Sequence, residues 1–330
     1  MRIQPLETIT RLGLYDCDLS PDGQTVAAVY LDDGGHRLGL WTTSSCSPLL
    51  ALDLEGAYLR PRFSPDGKLL AAARGGDEVM AWSLPGGETI FARDRSGGEA
   101  ITAHAFGFQG QTMVIAQGDR LGFWSVESGE WLASVPMPAE IDVLKTSPDG
   151  RLLAAGLHAG GAVVLDAQGR EVVATLPEIG LPVTALAFHP SQAWLLAATS
   201  PAFRPAGERW ERADHGWAEV WNYRNPERIA RIPCDYQAVL VGGGRYVATL
   251  TDNSRNLWVW EVPGADLVAH IENVVPERMV DDRGRELRQA TLAATPLGDL
   301  LAVAGLSRPI AADGVLRLFA IHTEAVVQAR

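Results

Sequence analysis

Two pairs of like charge stand at matched spacing near the start of the chain: Asp16 with Asp18, and Arg60 with Arg62. Alternate residues of a β-strand share a face, so each pair would project together from one strand. An acidic and a basic pair on neighbouring strands would neutralise one another in water or hold a small anionic ligand between them. A second group is aromatic and cationic. It comprises Arg204, Arg209, Trp210, Arg212, His215 and Trp217 in one segment, and Arg278, Arg283 and Arg285 in another. Trp and Arg are the commonest anchors of protein interfaces, which suits these segments to a protein or peptide partner. Catalytic motifs do not emerge. There is no G-x-S-x-G elbow and no H-E-x-x-H, and none of the seven histidines stands at metal-ligand spacing from another. Asp281-Asp282-Arg283-Gly284 lacks the alternate acidic positions and the terminal Glu of a calcium loop. No catalytic residue, cofactor or metal is expected.

The elements that would position these residues show themselves by repetition. Ser20-Pro21-Asp22-Gly23 recurs as Ser64-Pro65-Asp66-Gly67 and Ser147-Pro148-Asp149-Gly150. Weaker copies stand at Gly107-Phe108-Gln109-Gly110, His189-Pro190-Ser191-Gln192, Val241-Gly242-Gly243-Gly244 and Thr295-Pro296-Leu297-Gly298. The seven starts, at 20, 64, 107, 147, 189, 241 and 295, are on average about 46 residues apart, a period that marks a repeat architecture. Such a tetrapeptide is a hairpin turn: Pro presets φ, Asp bonds its own backbone and Gly supplies φ > 0. A short apolar run follows each turn: 26–29, 69–73, 113–116, 152–155, 195–198, 247–249 and 300–304. Runs of this kind suit strands buried on both faces, as the middle strands of stacked sheets are. A third strand then ends in a bulky residue: Trp41, Trp82, Trp124, Leu165, Trp221, Trp260 or Phe319. Packing between stacked sheets explains this slot better than cofactor stacking does.

The arrangement is all-β: a seven-bladed β-propeller of four-stranded antiparallel blades, with residues 1–330 as one domain. A barrel or sandwich does not explain seven four-strand units in fixed phase. Trp124-Ser125-Val126-Glu127-Ser128-Gly129, Trp221-Asn222 and Trp260-Glu261 resemble the Trp-Asp slot and polar turn of the WD40-repeat family. The pattern is closest to bacterial-type repeats that keep the Ser-Pro-Asp-Gly turn, and it extends over nearly the whole chain. It departs in two respects. Asp follows the bulky residue only at Asp166, and the Gly-His pair before the first strand is missing from every repeat. The family's buried Asp-His-Ser/Thr-Trp network is therefore expected in no blade, leaving packing and ladder bonds to hold the sheets. Outer strands are expected at Leu49–Leu54 and Trp131–Val135, and the last at Ala325–Ala329, where Leu6–Leu12 competes for the same position.

In a propeller the first strand of each blade lines a central channel. The residues two and four before each turn then face it, which places Asp16 and Asp18 beside Arg60 and Arg62. If these form wet ion pairs, replacing all four is expected to cost only ~0–1 kcal/mol. The long insertions Ser200–Trp217, Asn273–Gln289 and Leu306–Gly314 all interrupt links on the face opposite the turns. Long loops on a rigid scaffold are where binding residues usually sit.

Composition limits the partners. The chain has 330 residues, a net charge of −12 and three cysteines, Cys17, Cys46 and Cys234, without CxxC spacing. Reduced thiols and a cytoplasmic, monomeric protein are expected, since no apolar run approaches a membrane span and Met1–Thr10 holds no signal-like core. Such acidity disfavours phosphate backbones, so neither nucleic acid nor membrane is an expected partner. Two functions remain. Resemblance to WD40 proteins implies a non-enzymatic interaction scaffold that binds a protein or peptide on the face carrying the long loops. The alternative is an enzyme similar to 6-phosphogluconolactonase-like propellers, acting on a sugar lactone or phosphate in the channel.

Overall fold

The computed structural model describes the whole chain except residues 15, 34, 57, 96–97, 178–179, 200–202, 207–208, 213–215, 252–255, 276–289, 307–312 and 324–330. For residues 12, 58, 203–206, 209–212, 306 and 313 it describes the backbone alone. The repeated tetrapeptide folds as its residues require. In the first copy Ser20 Oγ donates to Asp22 Oδ1 at 2.6 Å and accepts the Thr25 N–H at 2.9 Å, and Gly23 adopts a φ of 71°. The copies at Ser64 and Ser147 reproduce this network. Two of the weaker copies reach the same end, one through an imidazole and one through a threonine hydroxyl. His189 Nδ1 accepts the N–H groups of Ser191 and Gln192 at 3.1 and 3.0 Å. In blade seven the Leu300 N–H donates to Thr295 Oγ1 at 3.2 Å.

Each turn joins the first two strands of a four-stranded antiparallel sheet, and seven such sheets form the blades. The inner strands are Asp16–Leu19, Tyr58–Phe63, Ile101–Gly107, Ile141–Thr146, Val183–Phe188, Ala238–Val241 and Ala290–Ala294. Neighbouring inner strands touch all the way round, including the first against the last, so the ring is closed. The second strands cover all seven expected apolar runs, and the only helix among the described residues is a 3-10 turn at Phe108–Gly110. Blade seven is completed by the start of the chain. Arg2–Leu12 pairs antiparallel with Asp313–His322 and takes the outer position. The competing segment Ala325–Ala329 lies outside the described residues.

The buried side chains gather into seven clusters, one at each interface between blades. Trp82 packs on Ala27, Val29, Leu38 and Leu40 of blade one. Trp124 packs on blade two, Leu165 on blade three, Trp221 on blade four, Trp260 on blade five and Phe319 on blade six. Trp41 closes the series against blade seven, beside Ala302, Ala304 and Leu316. The repeated bulky slot is thus the wedge by which every blade grips the one before it. In blades one to six the ladder to the outer strand slips by one residue at this position, making room for the large side chain.

One expectation needs correction. A part of the tryptophan network survives in blade six, where Trp260 Nε1 donates to Thr249 Oγ1 at 3.1 Å. Blade five uses a carboxylate instead, with Trp221 Nε1 donating to Glu219 Oε2 at 3.1 Å.

Trp124 is buried in its wedge position, whereas Trp131, stacked edge-on against it at 4.9 Å, is 56% exposed. Trp124→Ala should cost ~3–5 kcal/mol through lost burial and an unfilled cavity. Trp131→Ala should cost no more than about 1.5 kcal/mol, the value of an aromatic edge contact. Urea unfolding midpoints of the two variants check this, and equal losses would contradict the wedge.

Candidate functional site

The inner strands enclose a cavity of about 1380 Å³, and all seven blades contribute to its wall. In blades two to five the inner ladder slips at one height: between Leu59 and Arg62, Ile101 and Ala103, Ile141 and Val143, and Val183 and Ala185. Bulges free backbone and side-chain groups from the ladder, and here the next blade takes them up. Thr102 Oγ1 donates to the Ile141 carbonyl at 2.5 Å, and Thr184 Oγ1 to the Tyr236 carbonyl at 2.6 Å. Arg60 sits in blade two's bulge with a φ of 58°, and its N–H donates to Asp16 Oδ2 at 2.8 Å. Its guanidinium reaches past blade three, donating to the Thr102 carbonyl and, at 3.3 Å, to the Asp142 carbonyl of blade four.

Asp16, Asp18, Arg60 and Arg62 therefore do meet in the channel wall, but not as the expected ion pairs. Asp18 Oδ2 accepts the Phe63 N–H at 3.0 Å, as Asp16 accepts that of Arg60. Both carboxylates are buried and cap the backbone of blade two. Among the described residues no ion pair joins them to Arg60 or Arg62. Burial pushes the Asp16 carboxyl up from its ordinary value, with Arg62 and the Arg60 N–H partly offsetting it. The expected low cost of replacing the four side chains is revised accordingly, because a buried N–H left without its acceptor is expensive.

Three further groups belong to this site. Lys145 of blade four lines the cavity; burial pulls its ammonium down, opposed by Asp18 and reinforced by Arg62. Asp142 Oδ2 is 3.0 Å from His158 Nδ1. His104 is 2% exposed and neither ring nitrogen meets a partner in hydrogen-bond geometry. Burial, then the charges of Arg62 and Arg60, depress its pKa to about 3, the backbone of Ala71 and Arg60 compensating only in part. The single-residue alternation that selected Asp16 and Arg62 passes over His104 and Asp142, which stand at odd offsets from their turns.

On the insertion face, Phe203–Ala206 pairs with Arg209–Arg212 as an antiparallel hairpin in place of the expected loop. Arg204, Arg209, Trp210 and Arg212 are thus placed by their backbone, Arg204 opposite Glu211 and Arg209 opposite Ala206. His215, Arg278, Arg283 and Arg285 lie outside the described residues. Trp217 lies at the root of the hairpin, half-buried, with the Arg231 guanidinium 4.0 Å above its ring. Its N–H donates to Thr199 Oγ1 at 3.2 Å. Beneath it Glu219, 1% exposed, accepts from Arg228 Nη1 at 3.0 Å and lies 3.2 Å from Arg231 Nε. The sequence signal for this cluster is a lone carboxylate in an otherwise apolar third strand, Gly216–Asn222.

Among the described residues no three His, Cys, Asp or Glu side chains come together as metal ligands, and the three cysteines stand apart as free thiols. No helix there is long and apolar enough to cross a membrane.

Fold and channel together define a seven-bladed β-propeller. The chain is similar in fold to the β-propeller domain of Myceliophteria thermophila Cps50 (Swd1), known from its crystal structure. The TM-score is 0.73 at 16% identity, with 97% of this chain and 100% of that chain covered. No family model matches the sequence, and no curated protein matches it.

Two outcomes follow from the channel. Asp18→Ala leaves the Phe63 N–H without an acceptor and should cost ~1–3 kcal/mol in urea unfolding; a loss below about 0.5 kcal/mol would contradict the capping role. His104 binds its proton far more weakly in the folded chain than in the unfolded one. Its contribution is therefore lost as pH falls below ~6.5, by about 2 kcal/mol between pH 7 and pH 5. His104→Leu should flatten the decline in unfolding free energy over that interval by this amount. An unchanged decline would show that the imidazole is not held neutral.

Proposed function

We propose that this chain is a non-enzymatic interaction scaffold of the WD40-repeat type that binds a protein or peptide on its insertion-bearing face. The carrying observation is the placement of the insertion roots. Thr199 and Gly216 in blade five, Ile271 and Ala290 between blades six and seven, and Leu306 and Asp313 in blade seven all stand at strand ends on the face opposite the turns. The turn face is built from short hairpins, so the chain's extra length is confined to one side and to adjacent blades. In this reading Arg204, Arg209, Trp210, Arg212 and His215 make the contact together with Arg278, Arg283 and Arg285. Trp217 anchors their hairpin through Arg231. The paired ion cluster at Glu219 supports this, because a buried charge with two guanidinium partners holds the hairpin root in one geometry. The protein acts in the cytoplasm as a soluble monomer. The likeness to the Cps50 (Swd1) domain supports the fold on which this rests.

The test is capture from a lysate of the native host by the full chain, followed by mass spectrometry, with residues 201–213 replaced by a short Gly-Ser turn in a second sample. Gly216 stays, since it pairs with Cys234 in the sheet. The expected result is a partner held by the full chain and lost with the hairpin, at an unchanged melting temperature. Trp210→Ala should weaken that partner by about 2 kcal/mol, roughly thirtyfold. A partner retained after hairpin replacement would overturn the assignment.

A further inference from the structure

The channel wall is divided into two sectors at the height two residues before each turn. Blades one, two and four present Asp18, Arg62 and Lys145, whereas blades five, six and seven present Ala187, Val239 and Ala293. Between the two cations, blade three presents only Ala105, so two long basic side chains flank a position without one. Arg62 lies close enough to Lys145 to oppose its charge. Neither forms an ion pair among the described residues. Among the described residues Lys145 has no hydrogen bond or ion pair, and the one bond of Arg62 is from Nη1 to the Pro61 carbonyl at 2.7 Å. The nearby carboxylates bond to other groups, Asp16 and Asp18 to the backbone of blade two and Asp142 to His158, and Asp18 acts on Lys145 and Asp16 on Arg62 only through space. Two like charges brought together inside a wall, neither of them bonded to a carboxylate, form a site for an added anion. The facing sector is small and apolar, and pockets of this mixed make-up hold organic molecules by burying their bodies and fixing their polar ends.

We propose that the channel binds a small organic anion, its oxyanion head between Arg62 and Lys145 and its apolar body against Ala187, Val239 and Ala293. The cavity of about 1380 Å³ accommodates such a molecule without displacing a strand. This site is separate from the insertion face, and a ligand in it bridges blades two and four to blades five to seven across the axis of the ring.

Isothermal titration calorimetry of the full chain with phenyl phosphate tests the proposal, with inorganic phosphate and phenol as probes of head and body alone. Saturable one-to-one binding of phenyl phosphate is expected, with each half-probe weaker by about tenfold or more. Lys145→Met should weaken phenyl phosphate by about tenfold with an unchanged melting temperature, since Lys145 makes no bond that the fold uses. Arg62→Gln should act likewise, and Lys145→Met decides alone if that second variant does not fold. Three results would each overturn the proposal. These are absence of saturable phenyl phosphate binding at millimolar concentration, inorganic phosphate binding as tightly as phenyl phosphate, and wild-type affinity in the Lys145→Met variant.

Discussion

A four-stranded blade of this chain is apolar on both faces of its middle strands, and it cannot satisfy either face alone. Ala27 and Val29 in blade one look toward Trp82, while Val26 and Ala28 on the opposite face look toward blade seven. Each blade is thus stable only between two others, and the requirement ends only when the last blade meets the first. The bulky residue closing every third strand makes this directional, since each blade inserts its wedge into the preceding one. Blade one inserts Trp41 into blade seven, so the closing interface uses the same contact as the six others. The strand Arg2–Leu12 adds a covalent tie to that interface. It hydrogen-bonds within blade seven and leads directly into the inner strand of blade one. Opening the ring there means breaking a ladder as well as an apolar seam.

Closure has a consequence at the axis. Seven inner strands brought side by side leave backbone groups facing a channel rather than a neighbouring strand, and such groups need partners. The bulges of blades two to five concentrate the need at one height. Threonine hydroxyls from blades three and five and carboxylates from blade one answer it, each reaching to an adjacent blade. Arg60 answers it twice, its N–H bonded backward to blade one and its guanidinium forward to blades three and four. The polar residues of the channel are therefore in large part a set of ties between blades. This is why the acidic and basic pairs do not neutralise each other. Their oxygens and nitrogens bond the main chain, so Arg62 and Lys145 form no ion pair and feel Asp16 and Asp18 only through space.

How much of this the sequence discloses follows from the range of each interaction. The turn network spans six residues, from Ser20 to Thr25, and its side-chain chemistry is complete in the tetrapeptide, so turns and second strands are placed directly. The tryptophan slot was legible because it repeats in phase. Its partner, the preceding blade, follows from the ring. Contacts between distant strands were legible only as proximity. That Asp16 lies beside Arg60 follows from strand alternation, but that it takes the N–H rather than the guanidinium depends on the bulge at Arg60. A bulge is a shift of one residue that no side-chain pattern announces. The same is true of His104, which stands at an odd offset yet borders the cavity. The bond from Trp260 to Thr249 has no sign in the sequence, because the Gly-His pair that marks such a network is missing from this repeat. The hydroxyl on the second strand does its part without one. In blade five Glu219 takes the hydroxyl's place, and the change brings Arg228 and Arg231 with it.

The substitution in blade five connects local chemistry to the face above it. A hydroxyl acceptor for the indole is neutral and needs nothing more. A carboxylate in the same seam is a buried charge, and it is tolerable only if cations are brought to it. The outer strand Glu227–Cys234 supplies two, and Arg231 spends its remaining face on the Trp217 ring. Trp217 in turn is tied through both its main-chain N–H and its carbonyl to the hydroxyl of Thr199, the last residue of the second strand, at the point where the chain leaves the sheet for its hairpin. The chain of contacts runs from the seam between blades four and five to the base of the hairpin. A blade with an ordinary hydroxyl would end its polar network at the tryptophan. This one carries its network out to the insertion, so the rigidity of the ring is passed to the segment that departs most from the repeat.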